Sequence, residues 1–334
     1  MEISKFIKKL PKAELHIHIE GTLEPELLFS IAKRNGIHPK YSNVRALKRA
    51  YNFRNLQDFL DIYYEGCRVL RTSRDFYELT LAYFSKAHTQ GLRHAELFFD
   101  PQTHTSRGIP FRVAIEGIHM GCVEARKRFS ISSKIIMCFL RHLSEREAIE
   151  TLEESLPYRK WIDAIGLDSS EQGNPPSKFR HVFSQARKAG FLTVAHAGEE
   201  GPASYVSEAI SLLKVSRIDH GNHALDNKKL VKYLAKKRIP LTVCPLSNLK
   251  LCVVKDLRKH PLKTMLLAKL LVTINSDDPA YFGGYIGDNY QAIQKAIKLT
   301  NKELVQLAKN SIEASFLTHT RKKYLMRLID QYAE

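Results

Sequence analysis

With 334 residues, 44% of them hydrophobic and 26% charged, the chain has the make-up of a soluble globular protein with a full core, and its 16 Gly and 13 Pro exclude a low-complexity chain. No apolar run approaches the roughly 20 residues that span a bilayer, and the opening MEISKFIKKLPK lacks a signal-peptide apolar region, so the cytoplasm is the expected compartment and no membrane is expected. The 52 Lys and Arg against 35 Asp and Glu, a formal +17, admit an anionic partner, but the basic residues are scattered along helix-patterned stretches, so nucleic acid is not expected as a partner.

In chain order, short β-rich apolar segments recur at 13–19 (AELHIHI), 93–99 (RHAELFF), 134–140 (KIIMCFL), 163–168 (DAIGLD), 191–197 (FLTVAHA), 217–221 (RIDHG), 240–245 (PLTVCP) and 271–277 (LVTINSD). Between them, stretches such as 177–190, 203–215, 228–238 and 260–270 carry apolar residues at three- and four-residue spacing, the mark of amphipathic helices. Strand and helix in alternation mean a parallel sheet. With eight units and no G-x-G-x-x-G after the first strand, the expected fold class is α/β, a metal-dependent (β/α)8 TIM barrel. Residues 24–90 are too long for one crossover and read as a helical insertion after strand 1, while 285–334 read as extra C-terminal helices. No linker or repeat divides the chain, so 1–334 is expected to be a single domain. Cys67, Cys122, Cys138, Cys244 and Cys252 have no C-x-x-C spacing and are expected to be reduced core thiols.

Chemistry in such a barrel gathers at the C-terminal ends of the strands. Strand 1 ends in His16, His18 and Glu20, which period-two alternation places on one face. Strand 5 ends in HAGE, with His196 and Glu199; strand 6 ends in His220; strand 8 ends in Asp277 and Asp278. Three histidines and an aspartate from separate strand ends fit one divalent metal, Zn²⁺ first, with Fe²⁺ or Mn²⁺ as alternatives, and no organic cofactor is implied. Such a metal lowers the pKa of water, and Glu199 beside it is a candidate proton carrier. Taken singly, a strand histidine is more often a core residue, D-D-P a helix start and H-A-G-E a loop; their meeting in one mouth is what points to catalysis. The H-x-E matches at 94–96 and 18–20 lack the P-C-x-x-C of cytidine-deaminase-type zinc sites, there is no H-E-x-x-H, and Cys244 has no base nearby.

PKAELHIHIEGTLEPELLF, TVAHAGEEGP, RIDHG, VCPLSN and INSDDPAYFGG together resemble the adenosine and adenine deaminases of the amidohydrolase superfamily over nearly the whole chain. The resemblance implies a metal held by His16, His18, His196 and Asp277, Glu199 protonating the purine N1, His220 orienting or deprotonating water, and Asp278 bonding N7. It also implies hydrolytic loss of ammonia from C6. Adenosine-specific members have H-x-H-x-D, whereas HIHIEGTLEPE, GLDSSE and FFDPQTHTSRGIP resemble the free-base adenine branch of purine salvage. Glu20 is therefore expected to fill the ribose space and Ser169 to reach N3. The alternatives are that Glu20 orients a ligand histidine and Ser169 caps the following segment. For the whole chain, the alternatives are a deaminase of adenosine or another substituted adenine, a hydrolase of another small amide or phosphoester, or a basic nucleic-acid-binding protein on a barrel scaffold. Tyr63 and Tyr64 are candidates to stack on a base, or core residues of a helix.

Overall fold

Eight parallel strands follow one another in chain order, β1 Lys12–His18, β2 Leu92–Phe99, β3 Ser132–Leu140, β4 Ala164–Asp168, β5 Leu192–Ala197, β6 Arg217–His220, β7 Leu241–Val243 and β8 Val272–Ile274, in a computed structural model that describes residues 3–333. The ring closes just beyond β8: Asp277 N donates to His16 O and His18 N donates to Asp277 O, each at 3.1 Å. This is the expected (β/α)8 barrel. Its strands are rich in Ile, Leu, Val and Phe because helices cover them outside and side chains fill them inside, so both faces are dry.

The interior is filled by Phe98, Ile136, Cys138, Ala164 and Val194, with Phe316 packed against them. Below them lies a buried ion network. Arg217 Nη1 donates to Glu96 Oε2 at 2.5 Å and its Nη2 to Leu15 O at 3.0 Å, while Asp219 lies 3.4 Å from Arg217 Nε. At the outer end of β1, the Lys12 ammonium donates to the carbonyls of Ile7, Leu10 and Gln90 at 2.8, 2.6 and 2.7 Å, which satisfies all three of its N–H bonds.

β1 departs from strict alternation. Its register against β2 shifts between Glu14 and Ile17, and Glu14 faces the helix layer, where Tyr83 OH donates to it at 2.6 Å and Ser276 N at 2.9 Å. His16, two residues on, packs against Phe98 of the barrel interior. The strand also ends at His18, and Glu20 opens a 3-10 turn, Glu20–Thr22. Period-two alternation thus does not reach Glu20, and its direction is decided by other contacts.

Four helices separate β1 from β2: Pro25–Arg34, Val44–Ala50, Leu56–Cys67 and Ser73–His88. The last is a barrel helix, capped by Thr72 and Asp75 and packed on Phe111–Phe129. Gly117 makes that approach possible, since a Cβ there would sit 2.3 Å from Ser73 O. The Leu56–Cys67 helix crosses the mouth, pinned by a second apolar cluster in which Phe53, Phe59 and Leu60 meet Leu251, Tyr281 and Phe282. Burial of each such side chain is worth about 1.5–3 kcal/mol. After β8 come Ile286–Ile297, Asn301–Ala314 and His319–Ala333. The middle one seals β1 and β8, with Ala13 N donating to Ser311 Oγ at 2.9 Å and Asn310 Nδ2 to Val272 O at 2.9 Å. All five cysteines are free thiols, but Cys252 is exposed rather than core, in a left-handed turn with φ of 61° outside any strand. Among the described residues no helix is long and apolar enough to cross a membrane.

Candidate active site

His16, His18, His196 and Asp277 each offer a ligand atom, and these four atoms lie within 4.8 Å of one another. His16 Nε2 is 3.2 Å from Asp277 Oδ1, and His18 Nε2 is 3.2 Å from His196 Nε2. The tautomer of His16 follows from its neighbours. Thr242 Oγ1 spends its proton on Asp219 Oδ1 at 2.9 Å, so the contact of 2.9 Å between Thr242 Oγ1 and His16 Nδ1 must be donated by the imidazole. In the neutral ring, Nε2 of His16 is then the lone-pair nitrogen, buried and without a partner, aimed at the Asp277 carboxylate. Burial and the surrounding imidazoles lower the pKa of His196 well below its usual value, and burial lowers that of His18. Asp277, although burial opposes it, is held well below the carboxylate range by His16, His220 and His18. Three imidazoles and one carboxylate, converging with an orphaned nitrogen, fit a divalent cation of nitrogen and oxygen preference.

Three strand ends turn their side chains inward through left-handed backbone at non-glycine residues: Ser169 at φ 73°, His220 at 64° and Asp277 at 64°. Each costs of order 1–3 kcal/mol and persists only because its surroundings hold it, a pattern that gathers at functional sites. His220 Nε2 stands 3.4 Å from Glu199 Oε2 and 3.8 Å from Asp277 Oδ2. Burial, with the neighbouring His16, lowers its pKa to about 3, so the ring is neutral. Burial and the Asp277 charge push the Glu199 carboxyl well above its usual value, and they do the same for Asp278.

The loop that carries Glu199 is fastened by a residue to which the sequence reading assigned no role. The buried Glu171 carboxylate accepts from Gly198 N at 2.7 Å on Oε1, and from Glu199 N, Glu200 N and Gly201 N at 3.0, 2.9 and 2.9 Å on Oε2. Arg141 Nη1 also donates to His196 O at 2.7 Å. Neither contact is visible in local pattern, since both partners come from other strand ends.

A cavity opens onto His18, His196, Glu199, His220, Asp277 and Asp278. Leu56, Phe59, Leu60, Tyr63 and Tyr64 roof it, and Asp100, Asp168 and Ser169 line the wall. Ser169 Oγ lies 2.9 Å from Tyr64 OH and 2.8 Å from His142 Nδ1, tying the roof to the end of β4. Asp168 Oδ2 lies 3.6 Å from His18 Nδ1, beside the ring nitrogen away from the cluster. Glu20 is fully buried and stands behind this wall: Oε1 accepts from His104 Nε2 at 2.9 Å and from Asp100 N at 3.2 Å. Burial pushes the Glu20 and Asp100 carboxyls up to about 7, the Glu20 charge adding to the effect at Asp100.

A family model described as adenosine deaminase matches residues 11–332. An adenine deaminase from Acinetobacter baylyi is 56% identical over 331 residues, 99% of this chain and 100% of that protein. A crystal structure of adenine deaminase from Arthrobacter aurescens superposes with a TM-score of 0.95 at 46% identity, covering 96% of this chain and 98% of that one. An amidohydrolase from Burkhoderia ambifaria, crystallised with bound Zn, superposes with a TM-score of 0.90 at 27% identity, covering 100% of this chain and 95% of that one.

Proposed function

Because this chain belongs to the adenosine deaminase family, a family of metal-dependent hydrolases, we propose that it deaminates adenine, replacing the C6 amino group with water's oxygen to yield hypoxanthine and ammonia in purine salvage. The observation that carries the chemistry is the four-atom cluster of His16, His18, His196 and Asp277, three of whose residues line one cavity together with Glu199. The choice of adenine is supported by relatives of that name at 53–56% identity over nearly the full chain.

His16, His18, His196 and Asp277 would hold a divalent metal, which when bound would supply the Lewis acidity that eases deprotonation of water near neutral pH. Zn²⁺ is the assignment, on the nitrogen-rich donor set and the Zn in a 27% identical structure; reconstitution with Fe²⁺ and Mn²⁺ tests it. Glu199, holding a proton, donates it to N1 of the purine, which draws electron density from C6. His220, 3.4 Å from Glu199, accepts a proton from the attacking water and passes it to the C6 amino group, which departs as ammonia. Asp278 bonds N7 and fixes the ring plane. Ser169, tied to Tyr64, holds the roof over the base, and closure excludes bulk water. Glu20 acts from behind the wall by holding Asp100, rather than by touching the purine. The chain is read as a single barrel domain over 1–334, acting in the cytoplasm on a small base without nucleic acid; its basic residues are spread over helices such as Lys228–Lys237 and His319–Ala333.

The test is the loss of adenine ultraviolet absorbance by metal-loaded protein, beside adenosine at equal concentration, with ammonia release as a check. Faster adenine turnover is expected; adenosine preference would keep the mechanism and remove the substrate.

A further inference from the structure

The cavity wall carries a carboxylate that the chemistry above leaves unused. Asp100 follows β2, is 3% exposed and lines the cavity. Its position is determined from three sides. Glu20 Oε1 accepts from its backbone N–H at 3.2 Å, Tyr63 OH donates to its Oδ2 at 3.2 Å, and Pro101 follows it at the first turn of Pro101–Thr105. Glu20 is itself braced: His104 Nε2 lies 2.9 Å from it, and Arg107 Nη2 donates to His104 Nδ1 at 2.8 Å. What remains is Asp100 Oδ1, buried and with no N–H or hydroxyl donor in the protein, beside the Asp168 carboxyl, whose ligand atom lies within 4.8 Å of that of Asp100.

A buried oxygen with no donor is costly, and a site that keeps one is usually built for a ligand that supplies the donor. Free adenine carries one ring N–H on its five-membered ring, and a nucleoside has that nitrogen substituted. Asp168 also lines the cavity with an unpartnered oxygen, but its other oxygen faces the ring of His18, a residue of the metal-ligand cluster, at 3.6 Å from Nδ1. The ligand atoms of Asp100, Asp168 and His18 lie within 4.8 Å of one another, and Asp100 is the carboxyl of the pair whose second oxygen is taken by the roof, through Tyr63.

We propose that Asp100 is the residue that selects the free base, its Oδ1 accepting the N9–H of adenine and its carboxylate occupying the space a sugar on N9 would need. This assignment rests on the adenine reading above and deepens it. Glu20, His104 and Arg107 are then positioning residues, a buried brace that keeps Asp100 facing the purine. Discrimination by a buried acceptor is strong because the N9-substituted analogue leaves that acceptor unpaired and meets it sterically.

The experiment compares kcat/KM for adenine and 9-methyladenine in the wild-type protein and in Asp100→Ala, at matched metal content. The expected result is a fall for adenine of roughly 10- to 100-fold, the worth of one charge-assisted hydrogen bond, with 9-methyladenine unchanged or improved, so the preference collapses. Equal losses on both substrates, or no loss on either, overturn the assignment. If Asp100→Ala does not fold, Asp100→Asn decides: the neutral amide is of the same shape and must narrow the preference at least threefold, and an unchanged ratio overturns the assignment. A wild-type protein that ignores adenine refutes the activity itself, which separates that failure from a wrong role for Asp100.

Discussion

Replacing Glu171 by Gln tests whether the catalytic loop is held by one buried carboxylate. In the native protein Oε1 takes one backbone N–H and Oε2 takes three, from Gly198 to Gly201. A glutamine must turn its NH₂ toward either the single donor or the set of three. The better choice keeps the carbonyl on the three and sets two N–H groups against each other at Gly198. One buried N–H left unpaired costs about 1–3 kcal/mol, and three charge-assisted bonds become neutral ones at roughly half their strength. Together these weaken the loop by about 3–5 kcal/mol. Because Glu199 sits in the middle of the fastened segment, the loss is expected to appear in kcat, where a displacement of about 1 Å costs on the order of 100-fold. The assay is steady-state deamination, with metal content and urea midpoint measured on the same preparations. Glu171→Asp, which keeps the charge, is expected to recover part of the rate. The reasoning is refuted if Glu171→Gln retains kcat within threefold of wild type.

Thr242→Val removes the acceptor that sets the His16 tautomer while keeping the shape; chelator competition is expected to show metal affinity weakened by roughly 10- to 100-fold, and unchanged affinity would sink the tautomer argument. In the barrel floor, Arg217 and His94 outweigh burial and hold the Glu96 carboxyl at about 2 against an ordinary 4.5. The folded pKa is the lower one, so the stabilisation is fully present above pH 4.5 and is lost as pH falls through 2, a change of about 3 kcal/mol. Urea midpoints between pH 5 and pH 3 should therefore fall less steeply in Glu96→Gln than in wild type. Lys12→Met strips three carbonyls of their donor at the end of β1 away from the site. It should lower stability by at least about 1–3 kcal/mol, the cost of a buried acceptor left unpaired, without changing kcat per folded molecule, and a changed kcat would show that the far end communicates with the mouth.

The barrel and the gathering of polar strand ends at its mouth were legible in the sequence because both follow from local rules. Strand and helix periodicities write the alternation of elements, and chemistry in a parallel barrel falls at strand ends, so H-x-H, H-A-G-E, D-H-G and S-D-D mark one mouth before any coordinates exist. Asp219 and Thr242, which set the tautomer of His16, lie on β6 and β7, and nothing near His16 in sequence announces them. Glu171 reads as one more polar residue after β4 until the loop from β5 folds over it. Glu20 shows the limit most plainly. Alternation holds only while the chain is a strand, β1 stops at His18, and beyond it a buried carboxylate goes where donors are. Those donors, Asp100 N and His104, come from the segment after β2, roughly a quarter of the chain away, so only the closed ring decided that Glu20 stands behind the wall and Asp100 faces the cavity.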